Sequence, residues 1–381
     1  NTYMKESIRY RNTPQGIEFC HYQIHKDSHQ NKPVYTIQYS QGSMGLIPDC
    51  DAVIDENIDY INESELELLA LTPNFIKESV WFLHQVMAHL QPDIVHSLLD
   101  FSNLVTSYTS IISSHPRTFI SFRNHNPENL NLGKHWYKSY YKNALKSPFI
   151  HLTSNSTSGA NDYKKWLNIP SREIHLTQNL FDFEDSNFPI SRIHSLRQKL
   201  GIKEDELVIG GVFRMSREKE PFDFINVIGQ LVTKNLKFKV LLVGSGILLP
   251  DVKQKIKELN LTSKFILLEQ HPEILLLYKL MDIFLITSSQ EGTPNVIIEA
   301  MANDTPVVAT KAGGIPDLIV HEERGLLANT HDTSSLASHC SALIESPAKR
   351  QSLAYNAKSW VKNEFSPTKR IAQLIRTYET S

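Results

Sequence analysis

The chain has 381 residues, which is enough for two domains of ordinary size. Hydrophobic residues make up 41% of it and charged residues 21%, a balance that excludes a wholly disordered protein. The 39 basic and 41 acidic side chains give a formal net charge of −2, so we predict that nucleic acid is not a partner.

Cysteine spacing and hydropathy indicate the compartment. Cys20, Cys50 and Cys340 lie too far apart for a zinc knuckle or a redox pair, and they suit a reducing environment. No apolar run reaches the roughly 20 residues that span a bilayer, and no secretory signal opens the chain. We therefore expect a cytoplasmic protein. Because the first residue is Asn1 rather than Met, we interpret the chain as a processed product or as part of a longer one.

The first half of the chain shows an irregular alternation of strand and helix patterns. Strands are predicted at 34–39, 93–97, 117–122, 149–153 and 173–177, and helices at 63–90, 101–113, 134–145 and 156–167. These patterns predict an N-terminal Rossmann-like α/β domain over residues 1–180, with residues missing upstream. The acidic, aromatic stretch 181–189 shows neither the hydrophobic periodicity of a helix nor that of a strand, and it is the predicted linker.

The second half alternates strictly. Strands are predicted at 207–213, 238–243, 265–268, 283–287, 306–309 and 325–328, and helices at 221–234, 250–259, 272–281, 294–302, 334–345, 347–365 and 367–380. Short apolar strands between helices indicate a parallel sheet covered on both faces. Ligands of such sheets bind beyond the carboxyl ends of the strands.

Two of the predicted strand ends lead into polar segments. After the first strand, Arg214 and Lys219 lie in a loop before a helix, which predicts either an anion site or a solvated charged loop. After the fourth strand come Glu291 and Pro294, where Pro294 is expected to start a helix capped by Thr293. Asn295, Glu299 and Asn303 form a polar stripe on that helix, so Glu299 faces either water or a cleft.

Two glycine pairs follow other strands. Gly313 and Gly314 precede a short helix and form a tight turn. Gly244 and Gly246 lack the third glycine of a dinucleotide loop, so a nicotinamide site is poorly supported.

Taken in order, these segments resemble the retaining GT-B glycosyltransferases of the family-4 type, called glycosyl transferases group 1. The segment from Glu291 to Glu299 resembles the E-x7-E signature of that family, and Arg214 and Lys219 match its Arg and Lys. The resemblance covers roughly residues 150–365. The family glycines are replaced by Leu180 and Asp304 in this chain.

The resemblance implies two Rossmann-like domains facing a cleft, with a donor domain at 181–365 and a helix at 366–381 returning to the N-terminal domain. It also implies transfer of a hexose from a nucleoside-diphosphate sugar, most simply a UDP-sugar, to a glycan or lipid-linked acceptor with retention of configuration. No metal or other cofactor is then expected, because Arg214 and Lys219 neutralise the leaving diphosphate. Richness in Asn, Lys, Ile and Ser is typical of capsule and surface-polysaccharide enzymes.

The resemblance implies roles for further residues. Glu299 would bond the ribose, and Glu291 the transferred sugar. The rest of the donor-binding set would be Gly292, Thr293, Pro294, Asn295, Gly313 and Gly314. His125 follows a predicted strand and is either a cleft histidine beside the donor sugar or a loop histidine with a structural partner. Asp49 and Asp51 form a D-x-D triplet, which chance produces about once in a chain of this length.

The predicted helix at 134–145 suggests a membrane surface. Lys134, Lys138, Lys142 and Lys146 recur every four residues beside aromatic side chains. This pattern predicts either docking on an anionic bilayer at the inner face of the cell membrane or a solvated basic face.

Two other functions remain open from the sequence. One is a GT-B nucleotide-sugar isomerase, which would consume a donor without an acceptor. The other is a two-lobed solute-binding protein, which would bind free sugars but not UDP tightly.

Overall fold

The computed structural model of the chain describes the backbone of residues 3–13, 16–29 and 32–44, and residues 72–380 apart from short gaps. The gaps are residues 115–116, 129–135, 182, 184–187 and 235. Asp49, Asp51 and Lys134 therefore lie outside the described residues. The chain divides into two compact units, Asn1–Leu71 and Thr72–Ser381.

The first unit contains an antiparallel sheet of three strands, in the order β1 (Tyr3–Thr13), β2 (Gly16–His29), β3 (Lys32–Met44). Consecutive strands are two residues apart, and so short a connection can join antiparallel but not parallel neighbours. The predicted strand at 34–39 lies within β3. The structure differs here from the Rossmann-like domain that we expected over residues 1–180. The parallel strands described in this range begin only at Val95.

The second unit contains two parallel sheets, a four-stranded one that we call the first sheet and a six-stranded one that we call the second sheet, and each forms one domain with its helices. The four-stranded sheet comes first along the chain. Its strands, in spatial order, are β4 (Val95–Leu98), β5 (Thr118–Phe122), β6 (Ile150–Ser154) and β7 (Ile174–Leu176). Its helices are α1 (Lys77–Leu90), α2 (Asp100–Ile112), α3 (Tyr137–Ala144) and α4 (Thr157–Leu167). The strands and the helices predicted at 101–113, 134–145 and 156–167 are present, with bounds shifted by a few residues. The helix predicted at 63–90 begins only at Lys77 among the described residues, and its predicted part at 63–71 lies outside them.

A six-stranded parallel sheet follows. Its strands are β8 (Leu207–Val212), β9 (Phe238–Val243), β10 (Phe265–Leu268), β11 (Ile283–Ile286), β12 (Val307–Thr310) and β13 (Leu326–Ala328). The spatial order β10-β9-β8-β11-β12-β13 reverses direction between β8 and β11. This reversal is the topological switch point, where ligands of open α/β sheets bind.

Helices cover both faces of the second sheet. They are α5 (Ile190–Lys199), α6 (Pro221–Val232), α7 (Leu249–Glu258), α8 (Ile274–Tyr278), α9 (Asn295–Ala302), α10 (Ile315–Leu318), α11 (Thr333–Glu345) and α12 (Pro347–Glu364). The last helix, α13 (Pro367–Thr380), follows them. All residues of β11 and β12 are buried, as expected for parallel strands packed on both sides. Of the helices described, none is long and apolar enough to cross a membrane.

Glycine allows close packing within this sheet. A Cβ atom on Gly210 of β8 would lie 2.0 Å from Sδ of Met281, well within the van der Waals contact distance. Met281 is itself buried and precedes β11. A side chain at position 210 would therefore force the Met281 side chain to move.

The C-terminal helix α13 returns to the first parallel sheet, as the fold class predicts. The hydroxyl of Tyr378 lies 2.7 Å from Nδ1 of His96, and Nε2 of Gln373 donates to the Leu176 carbonyl at 2.7 Å. The chain thus passes between the two sheets twice. At this crossing the N–H of Phe181 donates to the carbonyl of Phe365 at 3.2 Å.

His96 makes stability depend on pH. Burial, and to a lesser extent the charge of Arg123, lowers the pKa of His96 from 6.5 to about 4. The unfolded chain takes up this proton near pH 6.5, whereas the folded protein resists it until about pH 4. The stabilisation is complete above pH 6.5 and is lost as the pH falls towards 4, by roughly 3 kcal/mol in all.

We predict that His96→Gln flattens the decline in the free energy of unfolding between pH 7.5 and 4.5. Gln stays neutral and still offers hydrogen bonds to Tyr378 and Thr153. Denaturant unfolding at several pH values measures the change, with the more exposed His194→Gln as the control. Identical pH dependence in wild type and His96→Gln would contradict the assignment.

Candidate functional site

The candidate site lies where the loops after β8, β11 and β12 meet. The loop after β8 contains a 3₁₀ turn at Arg217–Lys219 and leads into α6. Hydrogen bonds tie it to the loop after β11: Thr287 Oγ1 donates to the carbonyls of Lys219 and Glu220, and the Ser289 N–H donates to the carbonyl of Glu218. Hydrogen bonds to backbone carbonyls therefore hold the two sides of the switch point together.

Lys219 and Glu291 form an ion pair across the switch point. Nζ of Lys219 lies 2.7 Å from Oε1 of Glu291, with side chains 20% and 6% exposed. Ser288 Oγ donates to the same carboxylate oxygen at 2.7 Å. A pair this buried holds its geometry better than a surface pair, because removal of one partner leaves a charge without compensation. The structure thus brings together two residues that the sequence predicts for one site.

Arg214 lies on the solvent side of the same loop. Its side chain is 71% exposed, and its guanidinium donates to Glu218 Oε1 at 2.6 Å. Ser216 Oγ also donates to this oxygen at 2.6 Å. The exposed pair contributes little to stability, so the guanidinium can exchange Glu218 for another anion at small cost.

The segment Gly292–Asn295 approaches Gly313 and Gly314 closely. Gly313 has φ +51°, and a Cβ atom there would lie 1.8 Å from the Glu291 carbonyl oxygen. The N–H of Gly314 donates to the Gly292 carbonyl at 3.1 Å. Both glycines are therefore required by the backbone geometry, which places the two loops of the predicted donor set side by side.

The start of helix α9 differs from the prediction. The helix begins at Asn295, with Pro294 in the N-cap position and no side-chain cap. Thr293 Oγ1 instead donates to the Asn155 carbonyl at 2.6 Å, a residue that follows the first sheet. A contact with the other sheet outcompetes local capping here, so the N–H groups of the first turn of α9 have no cap from Thr293.

Glu299 lies on α9 and is partly buried. Tyr278, which is buried, donates its hydroxyl hydrogen to Glu299 Oε2 at 2.7 Å. Burial raises the pKa of Glu299, and the hydrogen bond from Tyr278 partly opposes that change. Of the two sequence interpretations, water or a cleft, the structure supports a partly enclosed carboxylate with one oxygen held by Tyr278.

Loops of the first sheet face this region. The N–H of Thr157, in the first turn of α4, donates to Asp317 of α10 at 2.8 Å. A Cβ atom on Gly292 would lie 2.1 Å from the Arg123 carbonyl oxygen, and one on Gly314 would lie 2.7 Å from Ser156 Cβ. Small residues of the second sheet thus permit direct backbone contact between the two domains.

His125 lies in the loop after β5 and is half-buried. Its Nε2 is 3.0 Å from Ser158 Oγ in the first turn of α4. In the part of the chain that the structure describes, His125 makes no hydrogen bond to the loops after β8, β11 or β12. Arg123, two residues earlier, contacts Gly292 directly and was missed by the sequence analysis. Its position at the carboxyl end of a strand was the available signal.

One group of side chains has the composition of a metal site. Within the described residues, ligand atoms of Glu220, Asp223 and His331 all lie within 4.8 Å of one another. Asp223 Oδ2 is 2.8 Å from His331 Nδ1, and Ser289 Oγ donates to Glu220 at 2.9 Å. The acidic pair occupies the N-terminus of α6, where negative charge is favoured without a metal.

Comparisons with known proteins agree with this geometry. Residues 193–360 match the model of the family described as glycosyl transferases group 1. The chain is 23% identical over 303 residues to the Vi polysaccharide biosynthesis protein VipC/TviE of Salmonella typhi, covering 76% of this chain and 52% of the relative. It is 28% identical over 199 residues to the capsular polysaccharide biosynthesis glycosyltransferase CapM of Staphylococcus aureus, covering 50% of each. The chain thus spans about half the length of the curated relatives it matches.

Solved structures show the same fold. The Anabaena protein Alr3699/HepE, in complex with UDP and glucose, superposes with a TM-score of 0.70 at 23% identity, over 81% of this chain and 84% of its own. S. aureus TarM, in complex with fondaparinux, α-GlcNAc-glycerol and UDP, superposes with a TM-score of 0.63 at 14% identity, over 98% and 80%.

The two parallel α/β sheets confirm the predicted GT-B architecture. The family match confirms the resemblance that rested on Arg214, Lys219 and the segment from Glu291 to Glu299, because all of these residues lie inside the matched range. Residues 193–360 of this chain are similar to the glycosyl transferases group 1 family.

Proposed function

We propose that the chain transfers a hexose from a nucleoside-diphosphate sugar, with UDP as the nucleotide, to a glycan or lipid-linked acceptor in polysaccharide biosynthesis. The observation that most supports this proposal is the buried ion pair of Lys219 and Glu291, which lies at the switch point of a domain similar to the group 1 family. HepE has been solved in complex with UDP and with UDP-glucose, and VipC/TviE and CapM are named for polysaccharide and capsular polysaccharide biosynthesis. These names support the donor and acceptor classes.

In this proposal Arg214 and Lys219 stabilise the leaving diphosphate. As the bond between the sugar and the phosphate breaks, negative charge develops on the phosphate oxygens, and fixed cations stabilise it most in a partly enclosed site. The uncapped first turn of α9 adds N–H groups directed at the same charge. Arg214 is exposed, and its bonds to Glu218 and Ser216 lie at the surface, so it can turn towards the ligand.

Glu291, Gly292, Thr293 and Asn295 would hold the transferred sugar. Glu299 would accept hydrogen bonds from the ribose with the carboxylate oxygen that Tyr278 does not occupy. His125 would contact the sugar from the first sheet, and its bond to Ser158 fixes the ring from the far side.

Retention of configuration fits this arrangement. Glu291 is engaged by both Lys219 and Ser288, so it is poorly suited to attack the sugar as a nucleophile. The acceptor would attack from the face that the diphosphate leaves, and a phosphate oxygen would take up the acceptor proton. A paired-carboxylate mechanism like that of glycosidases is then not needed.

We predict that Lys219→Ala and Arg214→Ala each lower the rate of transfer by roughly 10² to 10³, because each removes a fixed cation from the leaving group. Transfer from UDP-sugars, with and without acceptor, measures the loss. Lys237→Ala removes a lysine from an exposed pair with Asp205 and serves as the control. Near-normal turnover in both site variants would refute the diphosphate assignment, and donor consumption without acceptor would indicate an isomerase.

We also propose that no metal takes part, and we predict that EDTA leaves the transfer rate within about twofold of the untreated enzyme. Protein cations occupy the position that a divalent ion would take at the diphosphate. Loss of activity in EDTA with recovery in Mn²⁺ would contradict the proposal. A Glu220→Gln variant that no longer recovers would then identify the Glu220, Asp223 and His331 group as the ion site.

We also propose that the protein is cytoplasmic and that it docks on a membrane surface through α3. Lys142 and Lys146 are exposed, and Trp136 presents 37% of its surface beside Phe75, with ring centroids 4.6 Å apart. Tyr137 and Tyr141 are two of the aromatic side chains that lie beside the lysines in the sequence, and both are buried in the domain. The surface offered to a bilayer is therefore basic with a small aromatic edge, which suits anionic lipids.

We predict that changing Lys138, Lys142 and Lys146 together to Gln weakens cosedimentation with anionic vesicles at low salt, by about 1 kcal/mol per lysine. Changing Lys253, Lys255 and Lys257 of α7 to Gln removes the same charge elsewhere and is the matched control. Equal binding by the two triple variants would rule out α3 as the docking surface.

A further inference from the structure

Arg123 follows strand β5 and adjoins the donor loop, which we define as residues 291–295. Its carbonyl oxygen lies against Gly292 and accepts a hydrogen bond from Asn155 Nδ2 at 3.3 Å. Thr293 in turn donates to the carbonyl of Asn155 at 2.6 Å. The backbone of Arg123 is thus fixed against the segment that would hold the transferred sugar.

Among the described residues, the guanidinium of Arg123 donates hydrogen bonds to two neutral oxygens. NH1 donates to the Thr177 carbonyl at 3.4 Å, and NH2 donates to Oδ1 of Asn179. Asn179 Nδ2 then donates to Oδ1 of Asn295, the first residue of α9. One amide therefore separates the guanidinium from the start of α9 in the donor loop.

The charge of Arg123 is compensated less than that of its neighbours. Lys219 and Arg214 each contact a carboxylate, as does the buried Arg370. Across the described residues, no carboxylate forms an ion pair with Arg123. Burial lowers the pKa of Arg123, with no opposing contribution from a nearby anion.

Arg172 also has carbonyl partners, and it differs from Arg123 in where those carbonyls lie. It donates to the carbonyls of Leu145, Ser147 and Ile150, the first of which ends helix α3 and carries part of the negative helix dipole. Arg123 donates to one backbone carbonyl, that of Thr177, and to the side-chain amide oxygen of Asn179, and neither acceptor lies at a helix C-terminus. A partly buried cation without an anion destabilises the protein, so its retention at a ligand site points to an anion from the ligand.

We propose that Arg123 binds an oxyanion of the sugar substrates, either a carboxylate on the donor sugar or a phosphate on the acceptor. The proposal rests on the proposed function, in which Arg214 and Lys219 already serve the donor diphosphate, so a further anion must come from elsewhere in the substrates. A guanidinium can bind a carboxylate or phosphate through two parallel hydrogen bonds, which a lysine cannot reproduce. Arg123 is then a residue that sets substrate specificity.

Isothermal titration of the full chain with UDP-glucose, UDP-glucuronate and, on UDP-saturated protein, inorganic phosphate tests the proposal. If the donor supplies the anion, wild type binds UDP-glucuronate about tenfold or more tightly than UDP-glucose. If the acceptor supplies it, phosphate binds to the UDP-saturated protein. In Arg123→Met the corresponding preference or phosphate binding falls at least tenfold, and in Arg123→Lys it falls less. Arg172→Met is the matched control and keeps the wild-type pattern.

The two proposals fail differently. Absence of UDP binding by wild type would refute the proposed function. Normal UDP binding together with no preference for UDP-glucuronate and no phosphate binding would refute the role of Arg123 alone. This result needs only the wild-type protein, so it stands even if the Arg123 variants fold poorly. Equal loss in Arg172→Met and Arg123→Met would also refute it, because the effect would then be structural.

Discussion

The ion pair between Lys219 and Glu291 organises the second domain around its switch point. One partner comes from the loop after β8 and the other from the loop after β11, the strands at which the order of the sheet reverses. Because both side chains are largely buried, neither loop can move away without leaving a charge unpaired. The hydrogen bonds from Thr287 and Ser289 fix the backbones of the same two loops. Because Glu291 is fixed in this way, its backbone lies close to Gly313 and Gly314.

The contact between the two parallel sheets combines small residues with a few hydrogen bonds. Gly292 and Gly314 let backbones meet, and Thr293 and Thr157 supply specific bonds across the contact. The bond from Thr293 joins neutral groups and contributes about 1 kcal/mol, whereas the N–H of Thr157 donates to the carboxylate of Asp317. Arg123 brings a positive charge into the same contact.

Most of the second domain could be predicted from its sequence, because short apolar strands alternate with helices that begin at proline. The spacing from Arg214 to Lys219 and from Glu291 to Glu299 likewise indicated one site. Three features could not be predicted from local patterns. Thr293 bonds to Asn155 rather than to its own helix, and Arg123 acquires its surroundings from Asn179 and Gly292, far away in sequence. The antiparallel sheet at residues 3–44 was missed because the strand pattern at 34–39 does not distinguish parallel from antiparallel pairing.

The double passage of the chain between the sheets constrains how the domains can move. The first passage ends near Phe181 and the second near Phe365, and a backbone hydrogen bond joins the two residues. Two chain segments joined side by side allow the domains to bend about the line between the segments more readily than to twist or slide. Opening would therefore swing the donor loop away from Arg123 and Asn155 along one arc. A substrate would enter and a product leave by the same edge, opposite the crossing.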